Sequence, residues 1–404
     1  MSKVVIDEKK LKWTFDRRVV NFIPVEEKVL ERFKKGEQFR IYYGIDPTGP
    51  DIHLGHTIQL LFLKDLYELG HKPILLIGDF TAQIGDPSGK DTTRRPLSKE
   101  EIKENMKTYL NQVYRILPKG SFEVKYNSEW LGKLELADFL KLASNVTVQQ
   151  TLAREMFQRR ISENKPIGLH EFLYPLMQGY DSVAMKVDGE IGGGDQLFNM
   201  LVGRTLEKKY LNKDKIVLGT KLLVDPTGKK ISKSEGNFIA INDSPNDIFG
   251  KVMSIPDGEA IRTVFELATN IGSDKYHQYN SYQEFAEGDL VREEEKDPKA
   301  FKQKVAFELV KMYHGENEAE KARNEWDKVF SKGELPSEIE EIENRGSVMQ
   351  SSVMSGIVSS NSEFKRLVEQ GAVRVNNKTI KEWEGTVNSG DVVQIGPKKF
   401  AKIK

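Results

Sequence analysis

Phe39-Arg40-Ile41-Tyr42-Tyr43-Gly44-Ile45 opens a stretch that closes with Pro73-Ile74-Leu75-Leu76-Ile77, and what lies between them decides the fold. The first run is rich in aromatic and β-branched residues and predicts a short strand. A loop follows, Asp46-Pro47-Thr48-Gly49-Pro50-Asp51. Apolar residues then recur at Ile58, Leu61, Phe62, Leu66 and Leu69, the spacing of one helix face, and Gly70 stands where that helix would end. The closing run, 73–77, is short enough for a buried strand. Strand, helix and strand within about 40 residues make a βαβ unit. That unit predicts parallel strands and a doubly wound, Rossmann-like α/β sheet.

Further elements of the same kind extend the pattern. Phe122 to Tyr126 and Lys215 to Leu218 read as strands, and His170 to Met185 and Gln196 to Tyr210 as helices. Residues 1–240 are therefore expected to form one α/β domain with insertions. From 241 the character changes: Ala260 to Ala268 and Lys302 to Tyr313 carry helical apolar spacing, with charged stretches between. A smaller, mainly helical domain is expected over 241–340, ending in an acidic linker, Gly333 to Gly346, that contains Pro336. Residues 341–404 form a third region of small α+β character. Ser362 to Glu369 reads as a short helix, Val373 to Lys378 carries a hairpin-like turn, and Asp391 to Ile395 and Phe400 to Ile403 read as strands.

Composition sets limits on all of this. At 404 residues the chain has room for two or three domains, and 38% hydrophobic residues suffice to build cores. Lysine plus arginine equal aspartate plus glutamate at 61 each, so only local clustering can point to nucleic acid. Such clustering occurs at the end, where residues 361–404 hold nine basic against five acidic side chains, about +4. The absence of cysteine excludes disulfides, thiolate zinc sites and cysteine nucleophiles, and it fits a reducing compartment. No secretory leader and no run of about 18 apolar residues is present, so a cytoplasmic protein is expected.

Five short segments carry chemistry. His53-Leu54-Gly55-His56 falls between the first strand and its helix, where unpaired N–H groups and a partial positive charge suit phosphate. Gly55 permits close approach of a ligand to the backbone, and Asp46 and Thr48 share the loop. A surface turn with incidental histidines is the plain alternative; a metal pair would lack a nearby third ligand. Lys230-Ile231-Ser232-Lys233-Ser234 places two lysines three apart in a basic loop that can neutralise a departing pyrophosphate, although Lys/Ser runs are usually solvated surface. Gly85-Asp86-Pro87-Ser88-Gly89-Lys90 is not a Walker P-loop, because Ile84 and Asp91 stand where Gly and Ser or Thr are required. Tyr174, Gln178 and Asp181 fall at i, i+4 and i+7, one face of a helix, and spacing alone leaves a solvated face the simpler reading. Gly192-Gly193-Gly194-Asp195-Gln196 lets a backbone approach a ligand closely but is not a dinucleotide fingerprint, since Leu197 takes the last glycine place.

The histidine and lysine segments together, in this order, resemble the His-Ile-Gly-His and Lys-Met-Ser-Lys-Ser signatures of class I aminoacyl-tRNA synthetases. Leu54 and Ile231 are the two departures, both apolar. With the other segments the chain resembles, over nearly its whole length, the tyrosyl-tRNA synthetases of bacterial type. That resemblance implies the following roles. Asp86 meets the substrate ammonium, and Lys90 and Arg94 face phosphates. Tyr174 and Gln178 hold the α-amino group, Asp181 receives the phenol hydroxyl, and Tyr42 stands where many of these enzymes place a tyrosine on that hydroxyl. Neighbouring Tyr43 is bulky beside the expected ribose site. Asp195, with Gly193, faces the ATP ribose, and Gln196 the aminoacyl group. Ser360 to Lys378 looks like an S4 RNA-binding module in which Lys365, Arg366 and Arg374 face phosphates.

The implied reaction is ligation of tyrosine to its tRNA with ATP, accompanied by Mg2+, in a homodimer. His53, His56, Thr48, Lys230 and Lys233 would stabilise phosphate charge, and no side chain need become a nucleophile. A tryptophanyl-tRNA synthetase is disfavoured by the Tyr174, Gln178 and Asp181 set and by the S4-like tail. A non-catalytic RNA-binding scaffold is disfavoured by the intact histidine and lysine motifs. A small nucleotidyltransferase leaves the last third of the chain unexplained.

Overall fold

The computed structural model describes residues 4–88, 96–223, 238–337, 339–396 and 399–404. The chain divides into two compact units, Met1–Arg323 and Asn324–Lys404.

The first unit is built on a six-stranded sheet: β1 (Val19–Ile23), β2 (Arg40–Ile45), β3 (Lys72–Ile77), β4 (Glu123–Tyr126), β5 (Gly189–Gly193) and β6 (Ile216–Thr220). Their order across the sheet is β1-β6-β5-β2-β3-β4. All neighbours are parallel except β1, which runs antiparallel to β6 along one edge. The predicted βαβ unit is present. Helix Leu54–Glu68 joins β2 to β3, and Gly70, at φ 85°, turns the chain out of it. That helix is apolar almost all round because it is enclosed, with Ile58, Leu61, Phe62 and Leu66 all at 1% exposure or less. β3, β5 and β6 are buried along nearly their whole length, as strands covered on both faces must be.

Helix Glu8–Arg18 and β1 are among the elements that were not expected. Arg17 and Arg18 in this helix are almost wholly buried. Arg17 donates to the carbonyls of Phe265, Glu266, Thr269 and Ile271, so its guanidinium caps the end of helix Glu259–Ala268. Arg18 bonds Asp65 at 2.7 Å and the Thr269 carbonyl at 2.9 Å. The region from 241 is helical as expected, with Pro245–Met253, Glu259–Ala268 and Pro298–His314, and it packs into the first unit rather than standing apart.

The second unit contains helices Val348–Met354 and Asn361–Glu369 and a five-stranded sheet. Its strands are β7 (Glu340–Ile342), β8 (Val373–Val375), β9 (Lys378–Thr379), β10 (Val392–Ile395) and β11 (Lys399–Ile403), in the order β7-β11-β10-β8-β9. Asn376 and Asn377, at φ 48° and 63°, make the β8–β9 turn, a conformation asparagine tolerates. The acidic stretch expected to be a plain linker contains β7, which pairs parallel with β11. Ile342, Phe364, Val373, Val393 and Ile403 form the core.

Candidate active site

The sheet changes direction between β2 and β5: the chain steps outward from β2 through β3 to β4, then returns to β5 and steps the other way. A crevice opens at such a point beyond the carboxyl ends of the strands. Those ends supply the site. β2 leads into Asp46, β3 into Gly78, β4 into Asn127, and β5 into Asp195 and Gln196.

Helix Leu169–Met185 crosses these ends and brings Tyr174 and Asp181 inward, at 5% and 2% exposure. Tyr174 donates its hydroxyl to Asp46 Oδ2 at 2.8 Å, and Thr81 donates to Asp46 Oδ1 at 2.7 Å. A Cβ on Gly78 would lie 1.9 Å from Asp46 Oδ1, so only glycine leaves room for this carboxylate. Asp181 accepts from Trp130 Nε1 at 2.8 Å and from Asn127 Nδ2 at 3.3 Å. Asn127 also donates to Thr81 Oγ1 at 2.9 Å, which closes a chain from Asp46 to Asp181. Burial pushes the Asp181 carboxyl well above the usual carboxylate range; the Trp130 and Asn127 bonds oppose the shift, and nearby Glu190 and Asp46 reinforce it. Burial, then the charges of Asp46 and Asp86, holds the Tyr174 phenol protonated.

Asp86 lies in a second polar group on the same helix side. Its Oδ1 accepts from the Ser88 backbone N–H at 3.0 Å, and its Oδ2 from Gln196 Nε2 at 2.8 Å. Asn199 Nδ2 bonds Gln178 Oε1 at 2.9 Å and Gln196 Oε1 at 3.0 Å. Arg154 donates to Ser88 Oγ at 2.8 Å and lies over the Phe198 ring. Gln178, Asp86 and Gln196, distant in sequence, are thus joined through Asn199. Tyr42 is fully enclosed, and its hydroxyl lies 3.1 Å from Ser182 Oγ. Burial first, with help from Asp195 and Asp46, raises the Tyr43 phenol far above its ordinary value.

The two histidines start helix Leu54–Glu68 as a reciprocal cap. His53 Nδ1 accepts from the Gly55 N–H at 3.1 Å, and His56 Nδ1 accepts from the His53 N–H at 3.2 Å. The rings stack at 3.8 Å between centroids. A nitrogen that accepts carries no proton, so each neutral ring carries its proton on Nε2, which can donate to an anion. Thr48, in the preceding loop, is exposed. The lysines Lys230 and Lys233 lie outside the described residues, as do Lys90 and Arg94. The chain just beyond the lysine motif is described: Phe238 packs edge-on against His53 at 5.2 Å, and His53 bridges Ala240.

In the second unit, Arg366 and Arg374 are exposed, whereas Lys365 is half-buried with its ammonium 4.8 Å over the Trp383 ring. Sequence reasoning missed Thr81, Asn127, Trp130, Arg154 and Asn199. The only local sign of Asn127 was a polar residue directly after a strand; the others gave none.

Residues 34–331 match the model of the class I tRNA synthetases (W and Y), and residues 353–393 match the S4 domain. A tyrosine–tRNA ligase of Carboxydothermus hydrogenoformans is 44% identical over 98% of both chains. One from Thermotoga maritima is 42% identical over 96% of this chain and 95% of that one. Among solved structures, a tyrosyl-tRNA synthetase from Archaeoglobus fulgidus complexed with L-tyrosine superposes with a TM-score of 0.59 at 23% identity, covering 78% of this chain and all of that one, a likeness of fold. The chain belongs to the class I tRNA synthetases, within the family of the tyrosine–tRNA ligases.

Proposed function

We propose that this chain is a tyrosine–tRNA ligase that works in two steps. A tyrosine carboxylate oxygen attacks the α-phosphorus of ATP; the bond to the β,γ-phosphates breaks, and pyrophosphate leaves. The terminal ribose hydroxyl of tRNA then attacks the carbonyl of tyrosyl-adenylate, and AMP leaves. The observation that carries this reading is the buried Asp181, each oxygen held by one N–H donor, at the same end of the sheet as two histidines whose Nδ1 atoms accept, which puts the ring proton of each on Nε2. A phenol hydroxyl offered to a remaining lone pair of Asp181 gains a charge-assisted bond, whereas a phenyl ring covers that lone pair without a donor.

At the other end of the substrate, Tyr174, Gln178 and Asp86, with Asp46 behind them, give an acidic and hydroxylated surface suited to an α-ammonium. Gln196 faces the aminoacyl group, and Asp195 with Gly193 the ribose. His53, His56, Thr48, Lys230 and Lys233, with Lys90 and Arg94, stabilise charge on the phosphates as pyrophosphate departs. ATP enters as its magnesium complex, the ion held mainly by phosphate oxygens. Tyr42 is the further group assigned to the phenol hydroxyl.

Residues 1–240 then form the catalytic part, 241–340 a helical part against the tRNA, and 341–404 an S4 module whose Lys365, Arg366 and Arg374 meet RNA phosphates. A homodimer is supported by the apolar side chains on residues 136–169: Leu136 and Leu169 are each 74% exposed, and Leu140 and Val148 each 61%. The cytoplasm, where tRNA is charged, is the place of action.

The test is charging of unfractionated bacterial tRNA with ATP and one labelled amino acid at a time. Label from tyrosine, and background from phenylalanine and tryptophan, is expected. Label from tryptophan instead would overturn the reading of the pocket.

A further inference from the structure

A layer of polar groups lies under the pocket that none of the sequence motifs accounts for. The register of β2 with β5 sets Tyr42 beside Glu190, so both side chains leave the same face of the sheet. Glu190 is 2% exposed, and Lys215, the residue before β6, is wholly buried. Lys215 Nζ donates to Glu190 Oε2 and, at 2.7 Å, to Ser182 Oγ. Glu190 Oε1 accepts from Gln178 Nε2 at 3.1 Å. The pair is therefore anchored on two strands and touches helix Leu169–Met185 at Gln178 and Ser182.

A buried ion pair is poor value for stability alone, because packed apolar residues of the same volume often serve as well or better. What this pair does provide is a direction. A glutamine amide can turn over and exchange its oxygen for its nitrogen, and its neighbours decide which way it sits. A carboxylate paired with an ammonium only accepts. It therefore takes the NH2 of Gln178 and leaves Oε1 on the other side, where Asn199 bonds it at 2.9 Å and one lone pair is left over. That lone pair can accept from an α-ammonium. The reversed amide would set a donor against a donor.

We propose that Glu190, paired with Lys215, is a positioning residue for tyrosine activation: it locks Gln178 with its carbonyl toward the substrate ammonium. This rests on the reading that Gln178 faces that ammonium. It predicts a loss confined to the amino group of the substrate, which general loosening of the sheet would not produce.

The experiment compares tyrosine with 3-(4-hydroxyphenyl)propionate, the same molecule without the amino group, as ligands of wild type and Glu190→Gln by equilibrium dialysis. Glutamine at 190 can face Gln178 with either end and removes the lock. Tyrosine should weaken by about tenfold or more, the scale of one hydrogen bond to a charged group. The deaminated analogue should stay within about twofold, and kcat for adenylate formation should change less than KM. Parallel weakening of both ligands, or no change in either, overturns the proposal. If wild type itself does not distinguish the two ligands, the reading of Gln178 fails first, a separate result. Should Glu190→Gln fold poorly, the double variant Glu190→Met with Lys215→Met removes both charges together, and the same selective loss is expected of it.

Discussion

Replacing Asp181 with asparagine keeps the shape of the side chain and changes one oxygen into an NH2. In the structure both oxygens already accept, one from Trp130 Nε1 at 2.8 Å and one from Asn127 Nδ2 at 3.3 Å, and the residue is 2% exposed. Asparagine can satisfy one of these donors and turns an NH2 toward the other. The Trp130 bond is the shorter, so the oxygen should stay there, and Asn127, which keeps its bond to Thr81, should lose the partner of its other N–H. One orphaned buried donor costs about 1–3 kcal/mol of stability. The substrate phenol loses more specifically, since its partner is no longer a carboxylate. A hydrogen bond to a charged group is worth about 1.5–3 kcal/mol, so kcat/KM for tyrosine should fall by about 10- to 150-fold. Phenylalanine makes no such bond, and its kcat/KM should hold or rise.

The same carboxyl has a pH signature. Because burial raises its pKa, protonation removes the acceptor at a pH above the usual carboxylate range, and kcat/KM for tyrosine should decline on the acid side from there. Asp181→Asn should lack that limb. The assay is ATP–pyrophosphate exchange with tyrosine and with phenylalanine from pH 5 to 8.5, with circular dichroism as the control for folding. An unchanged tyrosine-to-phenylalanine ratio in the folded variant refutes the assignment of Asp181 to the hydroxyl.

Other outcomes follow from the proposed function and the structure together. Lys233→Ala should lower single-turnover adenylation by about 10²–10³-fold, the scale of one lost transition-state donor; an unchanged rate removes that lysine from the mechanism. Removing residues 341–404 should spare adenylation and impair tRNA charging, because those residues carry a core of their own; equal loss of both would contradict a separable RNA module. Burial pushes the His71 imidazole down to about 4, and its Nδ1 accepts from the Phe39 N–H at 3.3 Å. The unfolded chain takes up this proton near 6.5 and the native one near 4, so stability present above pH 6.5 is lost as pH falls toward 4, by up to about 3 kcal/mol. His71→Gln should flatten that decline in urea midpoints measured between pH 7.5 and 5. A decline as steep as in wild type would assign it to other groups.

Much of the catalytic frame was legible because its signals are local. The run 39–77 alternates strand, loop, helix and strand with apolar spacing that only a buried βαβ unit explains, and β2 and β3 are where it put them. The histidine pair was legible as a helix start because the cap lies in four consecutive residues. What escaped depends on distant partners. Nothing local marks Arg17 and Arg18, whose partners are carbonyls of 265–271, about 250 residues away. β7 is acidic and short, and it is a strand only because β11 pairs with it. Trp130 and Asn127 lie about 50 residues from Asp181, too far apart for spacing to relate them, although both bond its carboxylate. Nothing local marked Glu190 as a partner of Lys215, and only the β2–β5 register brings Glu190 beside Tyr42.

The most direct test of the central claim is ATP–pyrophosphate exchange with each of the twenty amino acids in turn, on full-length folded protein with magnesium. The account predicts exchange with tyrosine and little with phenylalanine or tryptophan. Exchange with none of the twenty would contradict it and would favour a scaffold that binds RNA without activating an amino acid.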